Sequence, residues 1–159
     1  MPSTAAGFEV VERLAGNATT DFGAPGIPAA LESRMQSPKD AERTRSLVQA
    51  CWKYLDQVRA KAPAALRKGP RGGGRDRDAM FNHVLDAEHE YGKGIGVRVK
   101  PPRGGDAAAV RAFRKAILDG LANPSPLNKW PAAYAARRTA WHALDHAWEI
   151  EDRSDPKVS

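Results

Sequence analysis

The chain has 159 residues, a formal net charge of +6, four histidines and one cysteine. That length suits one domain with its own core, and a single cysteine excludes an internal disulfide. No run of about 18 apolar residues is present to cross a membrane. The first residues carry neither a basic n-region nor an apolar h-region, so no signal peptide is expected and the cytoplasm is the expected compartment.

Residues 1–38 are rich in Gly, Pro, Ala and Thr. They read as an irregular arm lying on the main domain. Phe8 to Glu12 suggests a short strand, one side of a weak hairpin, and Asp21 to Pro28 reads as turns. The first helix is expected from Ser37 and Pro38, with Ser37 as N-cap and Pro38 in the first helical position. Leu47, Cys51, Trp52, Leu55 and Val58 share one face at helical spacing. Cys51 on that face reads as a small core residue rather than a reactive thiol. The helix should stop before Pro63 or fray towards Leu66.

The second helix should begin between Arg75 and Asp78 and end near Gly92. Met80, Val84, Ala87 and Tyr91 define its apolar face. At 100° per residue His83 falls at the edge of that face, and His89 points almost the other way, to solvent. Residues 92–105 form a long connection. Adjacent antiparallel helices need only a short loop, so this length predicts a crossover, with the third helix parallel to the second. Asp106 is an N-cap for that third helix, which carries Val110, Phe113, Ile117 and Leu121 and stops at Asn123-Pro124. The fourth follows Pro131 and runs to about Asp152, with Tyr134, Trp141, Leu144 and Trp148 as its apolar stripe. The expected architecture is all-α: a four-helix bundle over residues 39–153, with the irregular arm before it and a disordered tail at 154–159.

Two basic stretches hold the charge excess. Residues 67–78 carry five bases against two acids, and Lys93, Arg98, Lys100 and Arg103 have no acid between them. Both fall in connections, which suggests either an anionic ligand nearby or simply solvated loops. The Gly-Pro-Arg71-Gly-Gly-Gly-Arg75 segment offers Arg71 and Arg75 for a phosphate or carboxylate at the start of the second helix. It matches neither a P-loop nor a dinucleotide fingerprint.

The chemistry concentrates in three histidines. His142 and His146, four residues apart, sit on one helix face about 5–6 Å apart at Cβ. His83 lies at matching depth on the second helix. Three imidazoles can close one face of a metal site and leave coordination positions open, zinc or nickel being the divalent ions expected. Glu149, three residues after His146, shares their face as a fourth ligand, an acceptor that orients an imidazole, or a general base. Asp86 and Asp145 are further candidates to orient a ligand. A bundle whose histidines are ordinary polar residues is the competing reading.

The phrase Met80-Phe-Asn-His83-Val-Leu-Asp-Ala-Glu, with His142-x-x-x-His146-x-x-Glu149 on the last helix, resembles the DinB-like superfamily over residues 39–152. The phrase around His142 and His146 is similar to an actinobacterial branch of it. The resemblance implies the crossover bundle, a divalent metal on the three histidines, and an enzyme that uses a low-molecular-weight thiol. Mycothiol-dependent maleylpyruvate isomerase and the bacillithiol S-transferases are characterised relatives. The expectation is a metal-dependent thiol transferase or isomerase acting on an electrophilic small molecule, with the basic loops receiving carboxylates. A metal-dependent hydrolase with Glu149 as base is a close variant. A non-enzymatic binding protein using the basic loops is the rival from another class. Nucleic acid is not an expected partner, and a homodimer is compatible with the sequence.

Overall fold

The structure, a computed structural model, describes residues 7, 9–20, 23, 26–69 and 73–154. Four helices follow in chain order: α1 (Pro38–Lys61), α2 (Arg77–Gly94), α3 (Ala107–Ala122) and α4 (Ala132–Ser154). They form an all-α four-helix bundle. Local chemistry sets the ends. The Ser37 hydroxyl accepts from the Asp40 N–H ahead of Pro38, and the Asp106 carboxylate accepts from the Ala109 N–H, each satisfying an amide that the helix leaves unpaired. Asp76, at the N-cap of α2, instead accepts from the Leu66 N–H and Lys68 Nζ, tying down the connection from α1. Gly96, at φ 84°, turns the chain out of α2.

Cross-helix pairs give the directions. Trp52 meets Glu88 and Arg59 meets Asp78, so α1 and α2 are antiparallel. Arg59 donates to the Gly104 carbonyl and Asp56 accepts from Arg114, so α3 is also antiparallel to α1. His83 faces His142 and His146, while Tyr91 faces Trp130, which makes α4 antiparallel to α2 and parallel to α1. The second and third helices therefore run the same way. The 95–106 connection returns along α2: His89 Nδ1 pairs with the Val99 carbonyl, Arg103 with Asp86, and the Gly104 N–H with Asn82. This is the crossover that the loop length predicts.

The core joins Leu55 of α1, Val84 and Leu85 of α2, Phe113 and Ile117 of α3, and Ile150 of α4, all at most 1 % exposed. Two face assignments need correction. On α4 the inner face holds Ala135, Ala136, Thr139, Ala143 and Ala147 with the two histidines, while Trp148 is 56 % exposed. Small residues let α4 lie close along α1, and an indole cannot enter that seam. Trp141 and Leu144 are only partly buried. On α1, Leu47 is 56 % exposed and Val48 takes the inward position. Cys51 is half-buried against the core, and burial pushes its thiol pKa up, which suits packing rather than reactivity.

The arm is irregular, with no strand among its described residues, so no hairpin forms at Glu9 to Glu12; Phe8 lies outside them. Glu12 accepts from the Ala30 N–H, and Glu32 pairs with Arg137 of α4. Ser154 belongs to α4, and the expected tail beyond it lies outside the described residues. No helix among the described residues is long and apolar enough to cross a membrane.

Candidate metal centre

On α4, His142 and His146 are one helical turn apart on the buried face, 7 % and 8 % exposed. Half-buried His83 comes from α2. Antiparallel packing brings the three imidazoles together, with one nitrogen from each within 4.8 Å of the others. Ring centroids stand 4.4 Å apart for His142 and His146, 5.0 Å for His83 and His146, and 5.2 Å for His83 and His142. His89 lies outside the cluster. It is half-exposed and held by the Val99 carbonyl rather than standing free in solvent.

The Nε2 atoms of His142 and His146 face each other at 3.1 Å. Behind His146, Nδ1 lies 2.9 Å from Glu149 Oε2. The other Glu149 oxygen accepts from Arg153 Nη1 at 2.8 Å. Arg153 in turn donates through Nε to the Arg67 carbonyl. Both Glu149 oxygens are therefore engaged on the outer side of His146. Of the three roles open to Glu149, the geometry favours the acceptor that orients an imidazole over a ligand or a free base. In a neutral His146 the single ring hydrogen sits on Nδ1 facing the carboxylate, so Nε2 presents its lone pair to the cluster.

The electrostatics favour the neutral form at His142 and His83. Burial, then His146, His83, Arg138 and Arg75, pull the His142 pKa from 6.5 down to about 3. Burial, then Arg75 and His146, also lower His83, against Asp86 and Glu149. A neutral imidazole is the form that ligates a metal. The His142–His146 pair also fits an ion by size. At metal–nitrogen distances of about 2.0–2.1 Å, tetrahedral ligand nitrogens stand about 3.3 Å apart, close to the observed His142–His146 separation. His142 Nδ1, the ring nitrogen not facing His146, is buried and has no hydrogen-bond partner among the described residues.

Arg75 is exposed and near enough to act on His83 and His142, and it has no hydrogen-bond or ion-pair partner among the described residues. Arg71 lies outside the described residues. Several other loop bases are already paired: Lys68 with Asp76, Arg77 with Asp78, Lys93 with Glu90 and Arg103 with Asp86. The expectation that the basic loops as a whole await an anion therefore narrows to Arg75 at this centre. Asp86 is committed to Arg103, and Asp145 is exposed, so neither orients a ligand.

Tyr91 and Trp141 flank His142, each with its ring centroid 5.8 Å from the imidazole. Arg138 lies over both aromatic rings. Sequence reasoning missed Arg153 and Arg138. Both carried a positional signal: Arg153 stands four residues after Glu149 and seven after His146, and Arg138 stands four before His142. No family model, curated protein or solved structure matches the chain.

Proposed function

We propose that the protein is a divalent-metal-dependent enzyme whose centre is His83, His142 and His146. The observation that carries this reading is the convergence of three imidazoles from two helices, with Glu149 behind one of them. A divalent ion held there supplies a Lewis acid that lowers the pKa of a coordinated thiol or water. Glu149, anchored by Arg153, fixes the ring orientation and hydrogen position of His146. The flanking rings of Tyr91 and Trp141 exclude water from the His142 side. Exposed Arg75 offers a guanidinium to an anionic group of a ligand entering the open side.

The reaction class proposed is transfer or isomerisation through a low-molecular-weight thiol of the mycothiol kind, acting on a small electrophile. It rests on the resemblance to the DinB-like superfamily and on Cys51. That thiol packs against the core and is not among the clustered ligand groups, so a thiol reaction must bring its own thiol. The reading implies the cytoplasm, where such thiols stay reduced.

The test is an assay of metal-loaded protein with mycothiol, bacillithiol, glutathione and coenzyme A against a panel of electrophiles. The expected result is conjugation above the rate of free metal, lost in His146→Ala and weakened in Arg75→Gln and Arg71→Gln. Ester or amide hydrolysis without any thiol reaction replaces the transferase with a hydrolase. No turnover, with nucleic acid retained at low salt and released steeply as salt rises, replaces the enzyme with a binding protein.

A further inference from the structure

On the face where α1 meets α3 the molecule contains a second feature, a cavity of about 450 Å³. Arg59, Arg77, Arg111 and Arg114 line it above an apolar floor that includes Phe81 and Val110. Among the described residues the only acid in the lining is Asp56, which accepts from Arg114 Nη1 at 2.8 Å. Asp78, just outside, is shared between Arg59 and Arg77. Four guanidinium groups thus answer to two carboxylates. None of the three histidines lines this cavity.

Arg114 is the unusual member. Its side chain is only 9 % exposed, yet Nε and Nη2 have no hydrogen-bond partner. Glu88 is the nearest other acid, its Oε2 4.0 Å from Arg114 Nε. Complete burial raises the Glu88 pKa from 4.5 to about 7, against the pull of Arg114 and Trp52, so its charge is only partly present near neutrality. Those two donors are closed to solvent, so an anion in the cavity answers the charge of this buried cation rather than bonding to them. Arg111, on the exposed rim, has no hydrogen-bond or ion-pair partner among the described residues.

We propose that this cavity binds a small organic phosphate, its dianionic head between Arg111 and Arg114 and its apolar body on Phe81 and Val110. The excess of two positive charges matches a phosphate monoester better than a single carboxylate. The planar guanidinium fork suits phosphate oxygens. Arg59 lies 4.1 Å above the Phe81 ring and holds the floor in place.

Phenyl phosphate is the probe, titrated into the full chain by calorimetry and followed by the fluorescence of Trp52, over whose ring Arg114 lies at 5.0 Å. One saturable site per chain is expected, tighter for phenyl phosphate than for benzoate or inorganic phosphate. Arg111→Glu, on the exposed rim, should weaken binding about tenfold or more, the effect of losing a charge-assisted contact. Arg59→Gln should weaken it in the same direction, and it keeps the question answerable if Arg114→Gln fails to fold. His146→Ala should leave phenyl phosphate affinity unchanged, which separates this site from the metal centre. Absence of saturation, affinity unchanged in Arg111→Glu, or benzoate binding as tightly as phenyl phosphate overturns the proposal.

Discussion

His142 and His146 present their Nε2 atoms to each other across 3.1 Å, and only one of the two rings is held from behind. His146 has Glu149 at Nδ1, while His142 Nδ1 meets no partner. Two buried imidazoles facing each other do little for a core. The same pair bridged by a cation becomes a chelate. On the proposed reading, stability and metal binding therefore pull in opposite directions at this turn of α4.

Metal content tests the cluster directly. Purified protein should hold about one divalent ion per chain, as one three-histidine site implies. His142→Ala and His146→Ala should each abolish retention after dialysis, whereas His89→Ala should retain the ion. In metal-free protein, His142→Leu should be neutral or stabilising by about 1 kcal/mol, because it replaces an incompletely bonded polar ring with an apolar side chain of similar bulk. Elemental analysis and urea unfolding provide the two readouts. Equal metal in all the variants would move the ion elsewhere.

Glu149 separates an orienting carboxylate from a ligand or base. With both oxygens engaged by His146 and Arg153, Glu149→Gln should reduce metal affinity about 10–100-fold without abolishing it. Competition against a chelator of known affinity measures this. Arg153→Gln should act in the same direction and more weakly, since it leaves the carboxylate in place but loosens it. Complete loss of the ion in Glu149→Gln would make Glu149 a ligand.

How much of this was legible in the sequence follows from the kind of physics involved. Helix ends written by single residues, Ser37-Pro38 and Asp106, are local signals and lie where the structure has them. The α3 face of Val110, Phe113, Ile117 and Leu121 is buried throughout, because a clean 3.6-residue period depends on one helix alone. The α4 face was not legible by the same rule. Of the expected stripe of Tyr134, Trp141, Leu144 and Trp148 only Tyr134 is buried; beyond it the bundle selects the alanine seam, and seam width is a property of two helices. His83 could be matched to His142 and His146 because depth and face survive into the bundle. The buried Glu88, the unsatisfied Arg114 and the arginine-lined cavity depend on which helices meet, and no spacing along the chain records that.

Gly94 gives a prediction whose sign is informative. Replacing a helical glycine with alanine ordinarily stabilises by about 1 kcal/mol. Here a Cβ would stand 2.7 Å from Trp130 Cδ2, and the Trp130 backbone amide donates to the Gly94 carbonyl at 2.9 Å, so the residue has little room to retreat. Gly94→Ala should therefore destabilise the fold by about 1–3 kcal/mol, the usual range for overpacking. It should also disturb Trp130, whose ring centroid lies 5.9 Å from that of Tyr91, beside His142. Urea unfolding gives the sign, and a stabilised variant would mean that Trp130 does not pack there.

Glu88 makes stability depend on pH in the direction opposite to the common case of a salt-bridged carboxylate. Burial lifts its pKa from 4.5 to about 7, outweighing Arg114 and the Trp52 N–H that reaches Oε1 at 2.6 Å. Between those two values the folded protein binds a proton that the unfolded chain has released. The slope of unfolding free energy with pH is then negative, and stability falls as pH rises from about 4.5 through 7. At 1.36 kcal/mol per pKa unit the whole contribution is about 3 kcal/mol. Glu88→Gln keeps a carbonyl oxygen for the Trp52 N–H and cannot ionise. It should flatten this part of the profile and be at least as stable as the parent at pH 8, while gaining nothing at pH 5. Urea midpoints at half-unit pH steps measure the difference. Parallel profiles for the two proteins would mean that the Arg114 guanidinium keeps Glu88 ionised throughout, and the buried pair would then be a conventional ion pair.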